Sequence, residues 1–198
     1  MATDNSKNVS DNNKTIAKTA AVFFGGEASV HNYVKDNGES SIAILACSES
    51  PQSGLTSYST IGLSDHQFKV TKNEIPLGVE IIGVCGSSFE LFPNILGSIS
   101  TLVKEDGQEC APDTIFRDVV TNNQASQTMN HILLVDPFLW PESPETLRFK
   151  EKAVAWLQAV PIADNELEYS NKEGLSSLHE LFMKNQIDVF NLNRGSVV

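Results

Sequence analysis

The chain has 198 residues, of which 40% are hydrophobic and 20% charged. This length suits one domain that buries its core without disulfide or metal staples, and the composition excludes collagen-like, wholly disordered and disulfide-framework proteins. Lys and Arg number 14 against 25 Asp and Glu, so the net charge is −11. Such a surface repels nucleic acid and anionic membranes, so neither is expected as a partner, and it attracts basic proteins. Solubility alone is the other explanation of the charge.

The polar N-terminal residues 1–11 predict a disordered tail, followed by one domain over residues 12–198. Asp11 or Asn12 is expected to cap a first helix that reaches Phe24 and stops at Gly25-Gly26. A hairpin-type turn is expected at residues 36–38, and Gly62 suggests a bulge or a close backbone approach. The first half of the chain is then predicted to form strands over residues 29–34, 41–47, 56–63, 68–70 and 79–84.

The second half of the chain mixes helices and strands. Ser87 or Ser88 is expected to cap a helix that runs to about Lys104, and residues 113–120 are ambiguous between strand and helix. The other predicted elements are strands at 131–135 and 153–160, helices at 164–169 and 175–185, and a final extended run at 187–192. Strands with helices before, between and after them predict a single α+β domain, in the broader sense an α/β protein.

The cysteines and histidines give no sign of a metal or a disulfide. Cys47, Cys85 and Cys110 are odd in number and form no C-x-x-C pair, so they are interpreted as reduced, buried thiols. The histidines show no zinc-ligand spacing with them, and no phosphate-binding glycine motif occurs, so no metal or cofactor is predicted. The N-terminal segment lacks the apolar core of a signal peptide, and no apolar run approaches the ~18 residues that span a bilayer. We therefore expect a cytoplasmic protein.

Catalytic patterns are weak throughout the chain. Cys85 lies between an apolar strand and a helix, where a turn can expose a nucleophile, but the surrounding GVCGS lacks the second glycine in its usual place. No His/Asp partner is indicated for it, so a small strand residue before a helix is the simpler interpretation. Asp164, Glu166 and Glu168 lie close together as in a catalytic pair of carboxylates, but acidic residues at the start of a helix are the simpler interpretation. No enzyme is predicted, and a Cys85-dependent hydrolase stays as a remote alternative.

Several strings together resemble the suppressor of fused (SUFU-like) domain family. They are YSTIGLS at residues 58–64, VEIIGV at 79–84 with its following helix, PFLWP at 137–141, WLQAVPI at 156–162 and DVFNLNR at 188–194. The resemblance covers the chain from about residue 14 to residue 198. It implies a central, largely antiparallel or mixed β-sheet flanked by helices and no catalysis, and it supplies no catalytic residues.

The resemblance also implies a function. Animal members of the family bind a transcription factor with the help of a second domain, whereas this chain resembles the bacterial single-domain members. Those occur as immunity proteins or antitoxins that neutralise a secreted toxin, often with an LXG-type secretion domain and a C-terminal nuclease. The leading hypothesis is therefore an immunity protein that binds a basic toxin domain, a nuclease, one to one. A general interaction module that regulates a host factor is the second hypothesis.

A partner-binding face follows from charge. Nucleases present basic clefts to phosphate backbones, and acidic side chains of an inhibitor occupy such a cleft. Loop positions and helix starts are the expected places for such side chains. The face is expected to contain some of five acids: Asp65, Glu74, Asp164, Glu166 and Glu168. The chain is expected to be a monomer or a weak dimer.

Overall fold

The computed structural model describes residues 9–34, 41–66, 75–140 and 144–198. Across these ranges the helices are α1 (Asp11–Phe24), α2 (Phe92–Glu105), α3 (Val119–Asn122), α4 (Asp164–Glu173) and α5 (Leu175–Asn185). The strands are β1 (Glu27–Val34), β2 (Ser41–Ser48), β3 (Leu55–Ile61), β4 (Leu77–Gly86), β5 (Ile115–Phe116), β6 (His131–Val135), β7 (Leu147–Arg148) and β8 (Ala153–Ile162). None of the helices in these ranges has the length and apolar character needed to cross a bilayer.

The strands form one mixed sheet in the order β1-β2-β3-β4-β8-β6-β5, and β7 also pairs with β8. β4 and β8 run parallel, whereas every other pair among the described strands is antiparallel. β8 is the centre of this arrangement, because it pairs with β4 on one side and with β6 and β7 on the other. The predicted α+β fold with a largely antiparallel, mixed central sheet is confirmed.

Alternate strand residues divide the core between the two faces of the sheet. On one face, Ile81 of β4 and Leu157 of β8 pack with the apolar side of α2. On the opposite face, Ile82 packs with α1 and Val160 packs with α4 and α5. The hydrophobic faces of all the long helices are thereby buried against the sheet, which accounts for the three-layer architecture.

The first two helices end where the sequence predicts, but they do not start there. Gly25, with a φ of 70°, ends α1 as predicted, and its N–H donates to the carbonyl of Ala21. The expected caps Asp11 and Asn12 are wrong, because the helix begins at Asp11 and the Ser10 hydroxyl accepts from the Asn13 N–H.

The expected caps of the next helix, Ser87 and Ser88, are also wrong. β4 continues to Gly86, a turn follows it, and α2 begins only at Phe92 without a side-chain cap. Local pattern does not show how far a strand runs, so it predicts a helix start several residues before the observed one.

The structure differs from the sequence prediction in two further segments. The ambiguous segment 113–120 contains both a strand, β5, and a short helix, α3. The final extended run at 187–192 is wrong: successive turns replace a strand there, while Val189 and Leu192 are buried. The turn expected at 36–38 and the strand expected at 68–70 lie outside the described residues.

Gly78 lets the turn after β3 pack directly on β4. A Cβ at this position would overlap the Ser64 carbonyl oxygen and would lie 2.8 Å from the Ser64 Cβ. Gly78→Ala is therefore expected to lower the free energy of unfolding by about 1–3 kcal/mol, because the packed backbone cannot move away freely. Urea unfolding measures the loss. Gly195→Ala is the control, since a Cβ there meets nothing within 4 Å; equal stability of the two variants would contradict the packing argument.

Candidate partner-binding surface

The string at residues 58–64 encloses a carboxylate, Glu80 of β4, that has no exposed surface. Its oxygens accept from the hydroxyls of Thr60 and Ser64, both at 2.7 Å, and from the N–H groups of Gly62, Leu63 and Ser64 at 2.9, 3.2 and 3.1 Å. Gly62, with a φ of 92°, takes the left-handed conformation that turns these amides toward Glu80. Burial raises the pKa of Glu80, and the hydrogen bonds from Thr60 and Ser64 oppose that rise. The family string therefore builds a carboxylate cradle.

Lys152 extends this cradle to Asp65, one of the predicted partner-binding acids. The Lys152 Nζ lies 2.8 Å from the Ser64 hydroxyl and 2.7 Å from Asp65 Oδ1, and Asn13 Nδ2 donates to Asp65 Oδ2 at 3.0 Å. Burial acts to raise the pKa of Asp65, but the hydrogen bonds from Lys152 and Asn13 outweigh it and hold that pKa below its usual range. Both oxygens of Asp65 thus connect α1, the turn after β3 and the start of β8.

Glu166, another predicted partner-binding acid, is fully buried and cannot touch a partner. Its oxygens accept from the Arg194 guanidinium at 2.6 and 2.8 Å, and from the N–H groups of Ala163 and Val197 at 3.0 and 3.1 Å. Arg194 also donates to the Pro161 carbonyl at 3.0 Å. The sequence around Glu166 does not predict this burial, because it depends on Arg194 in the distant string at 188–194. We therefore correct the expected surface: Glu166 belongs to the scaffold.

The remaining predicted acids lie far apart. Asp65 is bound at the start of β8, whereas Asp164 lies two residues past its end, and ten strand residues span roughly 33 Å. Asp164 and Glu168 are exposed and four positions apart on α4, so they lie on one side of that helix. Glu74 lies outside the described residues. The structure thus brings two of the five acids together.

Asp164 also takes part in a cluster that sequence reasoning missed. His131, at the start of β6, accepts at Nδ1 from the N–H of Asp118 at 2.8 Å. Its Nε2 therefore carries the proton and donates to Asp164 Oδ1 at 2.9 Å. These three side chains are the group among the described residues that could hold a metal ion, with ligand atoms within 4.8 Å of one another. Both imidazole nitrogens already have protein partners, however, so hydrogen bonding accounts for the cluster.

The loops around β5 and β6 collect further exposed carboxylates. Asp113 and Asp118 flank β5, and Asp136 follows β6. Arg117 is an exposed cation beside Asp118. We define the acidic edge as five exposed residues: Asp113, Asp118, Asp136, Asp164 and Glu168. These carboxylates lie along the β5–β6 edge of the sheet: Asp118 and Asp164 at the start of β6, beside His131, and Asp113 and Asp136 near its end.

Cys85 does not have the environment of a nucleophile. It is buried in the core, and its thiol donates weakly to the Phe89 carbonyl at 3.8 Å. Burial raises the pKa of Cys85 to about 12, whereas a reactive cysteine needs a lowered pKa and partial exposure. The geometry therefore gives no support to the hydrolase alternative.

The fold and the two buried networks around Glu80 and Glu166 define a single-domain scaffold. Residues of the sequence strings described above stabilise it. The family model described as Suppressor of fused protein (SUFU) matches residues 38–195, and the chain belongs to this family. It is 42% identical over 190 residues to "Immunity protein YqcF" of Bacillus subtilis strain 168, covering 96% of this chain and 99% of that protein.

Solved structures share the fold at low sequence identity. A suppressor of fused homologue from Neisseria gonorrhoeae matches with a TM-score of 0.68 and 16% identity, covering 95% of this chain and 97% of that one. The Sufu-Fu complex matches with a TM-score of 0.66 and 13% identity, covering 94% of this chain and 92% of that one. Drosophila Suppressor of Fused matches with a TM-score of 0.54 and 16% identity; the match spans 86% of this chain but 42% of that protein.

Arg194→Met is expected to lower the free energy of unfolding by about 3–5 kcal/mol, because it leaves the buried Glu166 carboxylate without its cation. Urea unfolding at neutral pH measures the change. The control is Arg148→Met, which removes an exposed guanidinium and should cost little. A loss no larger than that of the control would show that the pair does not hold the C-terminal segment.

The three cysteines are expected to react slowly in the folded protein. All three are buried, and burial raises the pKa values of Cys85 and Cys110 to about 12. Alkylation at pH 8 should therefore be at least ~100-fold slower in the native chain than in urea, where all three thiols are accessible. Rapid native labelling at Cys85 would restore the hydrolase alternative.

Proposed function

We propose that the chain is an immunity protein that binds a cognate secreted toxin and neutralises it by one-to-one contact, in the cytoplasm of the cell that makes the toxin. The observation that carries this proposal is the 42% identity to immunity protein YqcF, which extends over nearly the full length of both chains. The likeness of the fold to a structure of the Sufu-Fu complex adds that a scaffold of this shape accommodates a protein partner.

The charge of the chain supports a basic partner. At a net charge of −11, long-range attraction accelerates encounter with a basic protein and opposes encounter with an acidic one. A nuclease fits this requirement, because its cleft must bind a phosphate backbone. We therefore propose a nuclease domain at the C-terminus of an LXG-type secreted toxin as the target.

The acidic edge is the proposed contact. Asp164 and Glu168 come from the sequence prediction, and Asp113, Asp118 and Asp136 extend the same negative surface. Asp65 and Glu166 are left out because their oxygens are engaged in the buried networks. In this arrangement the carboxylates of the acidic edge occupy the sites in the toxin's cleft that bind nucleic-acid phosphates, while the scaffold stays rigid.

Co-expression tests the function directly. The proposal predicts a toxin gene beside the gene of this chain, and its toxin domain is produced in a bacterial host with and without the chain. We expect growth to stop with the toxin domain alone and to resume with the chain, and a one-to-one complex in size-exclusion chromatography with light scattering. Growth arrest that persists with the chain present would contradict the proposal, and a complex with a host regulator instead would favour the interaction-module hypothesis.

The acidic edge is tested by a double charge reversal, Asp136→Lys with Glu168→Lys. The dissociation constant for the toxin domain is expected to rise at least tenfold, and binding should become less sensitive to salt, because attractive charges are lost. Glu27→Lys with Glu145→Lys is the matched control: it changes net charge equally, on the distant strand β1 and in the segment before β7. An equal effect of both pairs would mean that overall charge, and not this edge, drives binding.

A further inference from the structure

An apolar groove of about 660 Å³ lies beside the acidic edge, between α5 and the chain that follows β6. Val135, Phe138, Phe182, Met183 and Ile187 are among the side chains that line it. We call it the α5 groove. Phe138 is 57% exposed and Met183 is 80% exposed, so two large apolar side chains stand at the surface of one concave site.

The floor of the groove is preformed. Leu133 of β6 and Val160 of β8 are buried core residues, and they line the groove from the sheet. Phe182 is buried on α5, where the Arg194 guanidinium lies 5.3 Å from the centre of its ring. A site built on strands and a packed helix needs little ordering when it binds, which favours affinity.

The rim of the groove is acidic. Asp113 and Asp136 line it, and both belong to the acidic edge. His179 also lines it, with its Nε2 at 3.7 Å from Asp113 Oδ1. An apolar centre with a charged rim is the usual anatomy of a protein-binding site, in which aromatic and methionine side chains are enriched.

We infer that the α5 groove receives an apolar side chain of the toxin domain, an aromatic residue or a leucine, flanked by Lys or Arg residues that pair with Asp113 and Asp136. This inference rests on the proposed function, because it names the part of the chain that grips the toxin. The acidic edge steers the basic partner, and the groove anchors it after encounter.

Charge favours the toxin over a second copy of this chain as the occupant of the α5 groove. In a symmetric dimer the same patch faces itself, so the carboxylates Asp113 and Asp136 of one copy would approach those of the other. Two chains of net charge −11 also repel each other over long range. A basic protein meets the same rim with attraction, and its Lys and Arg side chains can pair with the rim carboxylates.

The test replaces apolar groove residues by charged ones. Phe138→Asp and Met183→Glu, made singly, are expected to raise the dissociation constant for the toxin domain at least ~30-fold, mainly through faster dissociation. Val22→Glu is the matched control, because Val22 is 85% exposed on α1 and does not line the groove. All three positions are on the surface, and thermal unfolding checks that each variant stays folded.

The outcomes separate the two proposals. If the unaltered chain binds the toxin domain but both groove variants bind like the Val22→Glu control, the groove inference is overturned and the proposed function stands. If the unaltered chain does not bind, both fall together. If the variants turn a dimer into a monomer with unchanged toxin affinity, the groove joins two copies of this chain and the inference is wrong.

A second measurement does not depend on affinity. A photo-crosslinking amino acid placed at position 183 is expected to form a covalent adduct with the toxin domain, and the same amino acid at position 22 is not. Mass spectrometry of the adduct should locate it next to a Lys or Arg of the toxin. Equal crosslinking from the two positions would overturn the inference.

Discussion

A carboxylate without contact with water must be surrounded by hydrogen-bond donors, and Glu80 imposes this condition on several segments of the chain. The left-handed Gly62 turns three backbone amides toward it, and Gly78 leaves room for Ser64 to approach β4. Lys152, just before β8, donates hydrogen bonds to Ser64 and to Asp65. Asp65 in turn accepts a hydrogen bond from Asn13 of α1. The positions of β3, β4 and β8 are thereby tied to one buried carboxyl group.

Glu166 and Arg194 do the same at the other end of β8. Their bidentate pair fastens the C-terminal segment against the start of α4, and Arg194 reaches the Pro161 carbonyl as well. Both networks take residues from the strings by which the family is recognised: Thr60, Ser64 and Glu80 in the first, and Arg194 in the second. The residues of those strings stabilise the scaffold, and they describe it rather than the partner that it binds.

The proposed binding surface and the buried networks use different side chains of the chain. The exposed residues of the acidic edge and of the groove, such as Asp136, Phe138 and Met183, lie in loops and on a helix surface outside the buried networks. Steering by exposed carboxylates and anchoring by an apolar groove are separate physical effects, the first acting on the rate of encounter and the second on the rate of dissociation. A partner-specific protein gains from having both on a rigid support.

The sequence by itself determined the features that depend on neighbouring residues. The helix stop at Gly25, the apolar strands within β4 and β8, and the helices α4 and α5 on either side of Gly174 all follow from local pattern. The strings also indicated the family, and with it the mixed sheet.

Only the tertiary structure decided which acids are exposed and which lie together. Glu166 and Glu168 look alike in sequence, yet one is buried against Arg194 and the other faces solvent. The acidic edge takes carboxylates from four segments, because β5 pairs with β6 and Asp164 of α4 contacts His131 at the start of β6. Local propensity carries no information about such contacts, since pairing between distant strands sets which side chains lose water and which remain at the surface.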